Sequence, residues 1–586
     1  MEADSNSQSN TRRWALVPTI PVLSVSLALA SGLVLRLWML KKYFIVNGDS
    51  LIYGYMGKNL LLHGQYALTG VAGKLNPTLI RLPGYPLFLA LCFRALGMEN
   101  YASAAWVQIA LELAGCLLLA DFAGHIAPVA LRSGKAGFSR GAAHATLWLT
   151  ALCPFTAIYA AEPMPEALTL FMIALALCSA ARFRERPEWG TAFCFTFAVT
   201  YAALLRPDGA LLAVALAPAL LIVLLRTDSG CPIIAARLLL RLGWDCTLPH
   251  EAPCPIPAVI LSEAQRSRRT RLLYFCRKEG KSRIEESPKV ARAVGAMVIS
   301  PALQRGVGAT NNFPESRRDD ANVSLSSNSS PRLARMALVC TLLALAPFTA
   351  WTLRNWQVFH LFQPLAPRYA NDPGQETYPG WQRWVKTWSL DFVSTYNVYW
   401  EVPGAPLDLA KLPRRAFDSP AQYEETAALA ADYNDRDNAR DIVPDVDERF
   451  GQLADERIAA HPLRYYLWLP LGRVADMWLR PRVENMDIDL DWWVYAHHRA
   501  ETRFSWAYAG LNALYLLLAL AGCCLRPRFW PWMVAYMVLR SALLMTVEAP
   551  EARYTLECFP MLFALGGIAV CAGITGRRPR RGRNSC

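Results

Sequence analysis

Charge is scarce in this sequence. Of 586 residues only 18% are Asp, Glu, Lys or Arg and 54% are hydrophobic, against roughly 25% charged in an average soluble chain. An ordinary soluble enzyme is excluded on that ground. Cysteines in Cys-x-x-Cys or Cys/His zinc spacing are also missing. The 15 present lie in apolar runs, in the basic stretch 227–335 or at the C-terminus, so neither a disulfide framework nor a structural metal is indicated. Walker A, G-x-G-x-x-G, H-E-x-x-H and G-x-S-x-G motifs are absent too, which argues against ATP-driven transport and the common hydrolase chemistries. The formal net charge of +13 comes from Arg and Lys gathered in a few short connections and at the C-terminus. Loop charges that orient membrane helices are distributed in this way, so a nucleic-acid partner is a poor reading.

What the sequence has in abundance is apolar runs long enough to cross a bilayer, at about 20 residues each. Ten spans are expected, at residues 15–40, 101–127, 142–161, 167–181, 191–205, 210–225, 336–353, 504–525, 529–547 and 556–575. The fold class is therefore an all-α polytopic membrane protein. Ala28-Leu29-Ala30 resembles a signal-peptidase site, but the first run continues ten residues beyond it and reads as an uncleaved anchor.

The distribution of basic residues orients these spans, both termini inside. Loops assigned inside carry Arg132, Lys135 and Arg140; Arg182, Arg184 and Arg186; Arg526 and Arg528; and a tail, 576–586, with five arginines and no acid. The inside stretch 227–335 has 17 Lys and Arg against 10 Asp and Glu, whereas the outside stretch 354–503 has 17 against 23. The organisation is an N-terminal module, 1–226, whose first outer loop is 41–100; the basic insert; a span at 336–353; the large outer region 354–503; and C-terminal spans within 504–575. Two shorter apolar segments, 84–97 and 463–479, carry internal charges and are expected to lie in the interface or re-enter. The insert is rich in Pro, Ser and Arg, contains stretches such as AVILSEAQRSRRT that look like translated intergenic repeats, and is expected to be disordered and without chemistry.

Chemistry is sought at the outer ends of helices, where ionisable groups are costly without partners or substrate. The first outer loop reads NGDSLIYGYMGKNLLLHGQYAL. Leu51, Ile52, Tyr55, Met56, Leu60 and Leu62 are expected to form one apolar face of a helix on the membrane, with Asp49 just before its first turn. N-capping alone would explain Asp49; Lys58 on the same helix is read as a solvated charge. RLPGYPLF follows at 81–88. The second outer loop, Tyr159-Ala-Ala-Glu162-Pro-Met-Pro-Glu166, reads plainly as a proline turn with Glu166 favoured at a helix N-terminus. Arg206 in LLRPDG and Arg553 in EAPEARYT fall at outer helix ends. A guanidinium can donate two bonds to a phosphate, or merely snorkel.

The order of these features, an Asp soon after the first span, a Tyr-bearing apolar helix, R-x-P-G-Y-P-x-F and then a loop with paired acids, resembles the GT-C superfamily of lipid-phosphate-sugar glycosyltransferases. The nearer likeness is to bacterial relatives of protein O-mannosyltransferases and of the lipid A aminoarabinose transferase. It covers residues 15–226 well and the C-terminal spans loosely. It implies a GT-C type bundle that transfers a sugar from a polyprenyl-phosphate donor to a hydroxyl acceptor (protein, lipid or polysaccharide), with inversion, at the outer face of a bacterial inner membrane. Asp49 matches the acid that deprotonates the acceptor, a task suited to a positioned carboxylate. Glu162 and Glu166 match acids that complete the site, which leaves room for a divalent cation there without requiring one. Arg553 with Tyr554 matches a feature that binds the donor phosphate; Arg206 and Arg81 are further candidates for that role.

Trp381, Trp384, Trp388, Trp400, Trp492 and Trp493 in the outer region could stack on sugars, but are expected to sit at the membrane interface. Asp487, Asp489 and Asp491 lack the remainder of an EF-hand loop and read as a solvated edge. Two other functions stand beside the transferase. A secondary transporter of lipid or polyol would place ionisable groups at mid-membrane in repeated halves, and a catalytically inactive scaffold would keep the bundle without the chemistry.

Overall fold

The ten apolar runs are mainly helical where the computed structural model describes them; the described residues are 22–70, 73–128, 137–226, 329–435 and 441–574. The described residues all belong to one of the chain's two units; the other, 232–327, holds most of the basic insert and lies outside them. So do Arg132, Lys135 and the tail 576–586.

The chain opens with α1 (Val22–Tyr43), α2 (Gly48–His63), a two-stranded antiparallel hairpin β1 (Ala67–Thr69) and β2 (Leu75–Pro77) with Ala67 opposite Pro77, and α3 (Gly84–Leu96). Then come α4 (Tyr101–Ile126), α5 (Gly137–Ala151), α6 (Pro154–Ala161), α7 (Glu166–Glu185), α8 (Trp189–Leu205) and α9 (Leu211–Arg226). After the insert, α10 (Ser329–Phe359) leads into a polar region containing α11 (Pro379–Lys386), α12 (Pro420–Asp435), α13 (Pro444–Ala460) and α14 (Leu469–Leu479). The chain returns to apolar helices with α15 (Arg499–Cys524), α16 (Trp530–Leu544) and α17 (Phe559–Ile574).

Among the described residues six helices are long and apolar enough to cross a membrane, or seven if α5 and α6 are one broken span. At 17, 16 and 15 residues, α8, α9 and α16 are shorter, so the expected count of ten goes beyond what helix length supports. The break between α5 and α6 bends the pair by 52°. Its cause is Pro154, which has no N–H to continue the ladder. The break frees the Ala151 carbonyl, and Arg36 of α1 donates to it at 2.8 Å. Arg36 is fully buried and pairs with Glu112 of α4 at 2.7 Å, so one ion pair ties three helices where apolar packing alone would leave a polar carbonyl unsatisfied.

The bundle centre is built on α17, which packs against both α5 and α15. A Cβ at Gly567 would fall 2.7 Å from the backbone nitrogen of Thr146, the close approach that small residues allow between membrane helices. Among the described residues six cysteines, Cys92, Cys116, Cys153, Cys178, Cys558 and Cys571, are buried and behave as small apolar side chains.

Three expectations change. The apolar face of α2 is split: Met56 is buried against Tyr66, Leu79 and Trp351, while Leu51, Tyr55 and Leu62 are exposed. The hydrophobic residues therefore serve two surfaces, an internal one and one free for lipid. Trp381, Trp384 and Trp388 are buried in a separate core formed by α11, α12 and α13 with Phe450 and Leu453, and Trp492 is buried in the main core. These four do not form an interface belt, because a polar region with its own core uses them inside. Trp400 and Trp493 remain about half exposed. The segment 463–479 is bipartite, with Leu463, Tyr466 and Trp468 exposed and Arg473 fully buried; the Arg473 Nε donates to the Ser389 carbonyl at 2.9 Å.

The Arg36 pairing gives a stability prediction. Replacing Arg36 alone with Met leaves Glu112 buried without its counter-charge and should destabilise the protein by roughly 3–5 kcal/mol, whereas replacing both with Met should cost clearly less. Unfolding by denaturing detergent would measure both. Equal losses would show that the ion pair is not what holds these helices.

Candidate functional site

Four chain turns converge at one end of the bundle. They are the segment after α1, the α6–α7 turn, the α8–α9 turn and the α16–α17 turn. Together with residues from the polar region they enclose a cavity of about 1210 Å³ whose lining includes Asp49, Arg81, Glu162, Glu166, Arg206, Arg553 and Tyr554. All seven sequence candidates thus meet at one place.

Asp49 is free for chemistry because it does not cap α2. Asn47 does so, with its Oδ1 accepting from the Ser50 backbone N–H at 2.9 Å and the Ser50 hydroxyl at 3.0 Å. The Asp49 carboxylate instead pairs with Arg81 at 3.1 Å and Arg553 at 3.5 Å. Burial works to raise its proton affinity, but the guanidiniums of Arg553 and Arg81 outweigh burial and hold the carboxyl below the usual carboxylate range.

Arg81 is positioned by the hairpin and by the motif that follows it. The α10 residue Arg354 donates to the carbonyls of Thr78 and Tyr66, and Asp372 accepts from the Leu79 N–H at 2.7 Å, which fixes the hairpin's exit. Gly84 then lies against the end of α8. A Cβ there would come within 2.6 Å of the Leu204 carbonyl, so the glycine of R-L-P-G-Y-P lets this segment reach the helix that presents Arg206. The Tyr201 hydroxyl donates to the Gly84 carbonyl at 2.9 Å and closes the contact.

Glu162 and Glu166 have different surroundings. Glu162 is buried, accepts one hydrogen bond from Asn485 Nδ2 at 2.8 Å, and its backbone carbonyl is fixed by Gln108, which in turn accepts from Tyr85. Burial, with the charge of Glu166 nearby, pushes its carboxyl up to about 8. Glu166 begins α7, where the helix dipole favours an acid, and accepts from Arg206 at 3.1 Å with Arg553 at 3.9 Å.

Arg206 is more heavily engaged than the sequence suggested. Besides Glu166 it meets Glu557 at 3.2 Å and Asp208 at 3.5 Å, and those two acids share Arg540 at 2.6 and 3.0 Å. Arg206 therefore positions Glu166 within a buried charge network and has little left to offer a phosphate. Arg553 is held by Glu551 at 2.6 Å, and the Tyr554 hydroxyl donates to the same Glu551 at 2.5 Å.

The reading of the sequence missed Asn485, Glu551, Glu557, Asp208 and Arg540. One signal was available for Arg540, an ionisable residue within an apolar run, which requires a buried partner. Lys58 forms a surface pair with Glu99 at 2.7 Å, in keeping with a solvated charge.

Both Asp49 oxygens and Glu166 Oε1 face guanidiniums, while Glu166 Oε2 is buried without a hydrogen-bond partner; among the described residues the only group bringing three candidate ligands together is Asp489, which is exposed, with His498 and Glu501, which are partly buried. There His498 bridges Asp489 and Asp491, each at 3.2 Å, and the aspartates remain a solvated edge.

No family model matches the chain, and no curated protein matches it. Structural neighbours include two crystal structures of ArnT from Cupriavidus metallidurans. One is bound to undecaprenyl phosphate and is 13% identical, with 95% of this chain and 79% of that one covered and a TM-score of 0.32. The other, in the apo state, is 12% identical, with 93% and 76% covered and a TM-score of 0.29.

The convergence of four turns predicts a common side. Single cysteines at 49 and 487 should react with a membrane-impermeant reagent from one face, and a cysteine at 140, at the far end of α5, only after permeabilisation. Labelling of 49 and 140 from the same face would contradict the arrangement.

Proposed function

We propose that the protein is an inverting glycosyltransferase of GT-C type, which moves a sugar from a polyprenyl-phosphate donor to a hydroxyl acceptor at the outer face of the membrane. The observation that carries this reading is the Asp49 carboxylate set between Arg81 and Arg553 in a cavity walled by helix ends. A carboxylate held ionised beside two cations is suited to a reaction in which a proton is accepted while an anionic group departs.

In this reading the donor phosphate takes hydrogen bonds from Arg553 and Arg81, and both loosen from Asp49. The released carboxylate regains basicity and accepts the acceptor's hydroxyl proton. The acceptor oxygen forms a bond to the anomeric carbon as the bond from that carbon to the phosphate oxygen breaks, and the polyprenyl phosphate leaves with the electron pair. Glu162, whose surroundings favour the neutral form at pH 7, donates a hydrogen bond to the sugar. Two carboxyls in one cavity with proton affinities driven apart is the expected pattern when one accepts a proton and the other holds one.

Asp49→Asn keeps size and hydrogen bonding while removing the charge, and α2 is capped by Asn47 in any case. Transfer should fall by about a hundredfold or more with unchanged abundance in the membrane. Full activity would remove Asp49 from the mechanism. The pH profile tests Glu162. Its raised carboxyl is neutral below about 8 and charges as pH rises through that value, so activity should decline on the alkaline side, and that limb should vanish in Glu162→Gln. Treatment with EDTA should leave transfer unchanged, because Asp49 and one oxygen of Glu166 are already paired with guanidiniums.

A further inference from the structure

The wall of the cavity formed by the polar region carries a feature that phosphate binding and proton transfer do not use. Residues Thr395–Tyr399 form a single π-helical turn, with the Trp400 N–H donating to the Thr395 carbonyl at 3.0 Å. Such turns are rare and concentrate at functional positions. This one aligns Phe392, Tyr396 and Trp400, with Tyr396 and Trp400 centroids 5.6 Å apart and Phe392 and Trp400 centroids 5.5 Å apart. Phe392 is buried beneath, while Tyr396 and Trp400 are 45% and 47% exposed and line the cavity. The other three tryptophans between 381 and 400 are buried in the polar region's own core.

Hydrogen-bonding groups share the cavity with this shelf. Asn485, Asp487 and Glu548 line the same cavity. Asn485 also holds Glu162, so one of these groups touches the acidic turn. Glu548 is paired with both Arg368, at 3.0 Å, and Lys386, at 3.2 Å, so the carboxylate left to face an incoming group is that of Asp487, with the Asn485 amide. An anionic acceptor would meet like charge here. A ring with apolar C–H faces and hydroxyl edges would meet aromatic faces and acceptors together.

We propose that the Tyr396–Trp400 shelf is the acceptor subsite and that the acceptor is a neutral carbohydrate, stacked on these rings with its hydroxyls on Asn485 and Asp487. This deepens the proposed transferase reading and rests on it for the word acceptor. Sugar binding itself can be measured without it.

The test uses the full chain in nanodiscs and saturation-transfer NMR. The probes are free mannotriose, monogalactosyl diacylglycerol doped into the disc, and mannose 6-phosphate as the anionic comparison. One of the two neutral probes should bind through its ring C–H protons, at least about tenfold more weakly in Trp400→Ala and in Tyr396→Ala, the loss usual for truncating an aromatic anchor. Trp400→Phe, which keeps an aromatic face, should recover most of the binding and so separates stacking from misfolding. Which neutral probe binds tells whether the acceptor is free or lipid-linked. Binding retained in Asp49→Asn while transfer is lost supports the shelf and the transferase together. Binding with no transfer by the wild type under any donor would sink the transferase reading and leave the sugar site. No binding of either neutral probe, equal binding in the alanine variants, or preference for mannose 6-phosphate would overturn the proposal.

Discussion

Arg553 and Asp49, 504 positions apart in sequence, meet at 3.5 Å, and the arrangement of the cavity depends on that meeting. A charge drawn into a partly buried site must be paired, and here the partners come from the segment after α1, from the α6–α7 turn through Glu166, and from Glu551 beside Arg553 itself. The second charge network, running from Glu166 through Arg206 and Glu557 to Arg540 and Asp208, joins the remaining turn, between α8 and α9, to the others. Four connections that could move independently are held at one end of the bundle by shared guanidiniums.

The same pairing explains why the site can be both stable and reactive. In the absence of an anion, Arg81 and Arg553 are satisfied by Asp49. In the proposed reaction the donor's phosphodiester offers them other acceptors, and the carboxylate it displaces would become the base. Burial and the nearby charge of Glu166 push the Glu162 carboxyl up despite Arg553, and in the proposed reaction it holds its proton. The proposed chemistry rests on how unevenly positive charge is shared among three carboxyls.

Much of this was legible in the sequence, because apolar runs and the placement of ionisable residues at their ends obey strong rules. Asp49, Glu162, Glu166, Arg81, Arg206, Arg553 and Tyr554 were all identifiable as residues at helix ends, and they do line one cavity. What a single sequence does not encode locally is pairing. Whether Arg206 faces a ligand or three acids depends on helices hundreds of residues apart, and Arg540 and Glu557 become its neighbours only in the folded bundle. The tryptophans were misread for a related reason. Aromatic residues suit a membrane interface and a small polar-domain core equally well, and only the packing of α11 on α13 decides for Trp381, Trp384 and Trp388. The capping of α2 was a near miss, with the cap two residues earlier at Asn47.

The central claim is that a donor phosphate and Asp49 compete for the same guanidiniums. Equilibrium binding of a polyprenyl monophosphate to the purified protein tests it most directly, in wild type, Arg553→Gln and Asp49→Asn. The competition requires about tenfold weaker binding or worse when Arg553 is lost, since each 1.4 kcal/mol is a factor of ten, and tighter binding than wild type when Asp49 is neutralised. Unchanged affinity in Arg553→Gln, or weaker affinity in Asp49→Asn, would contradict it.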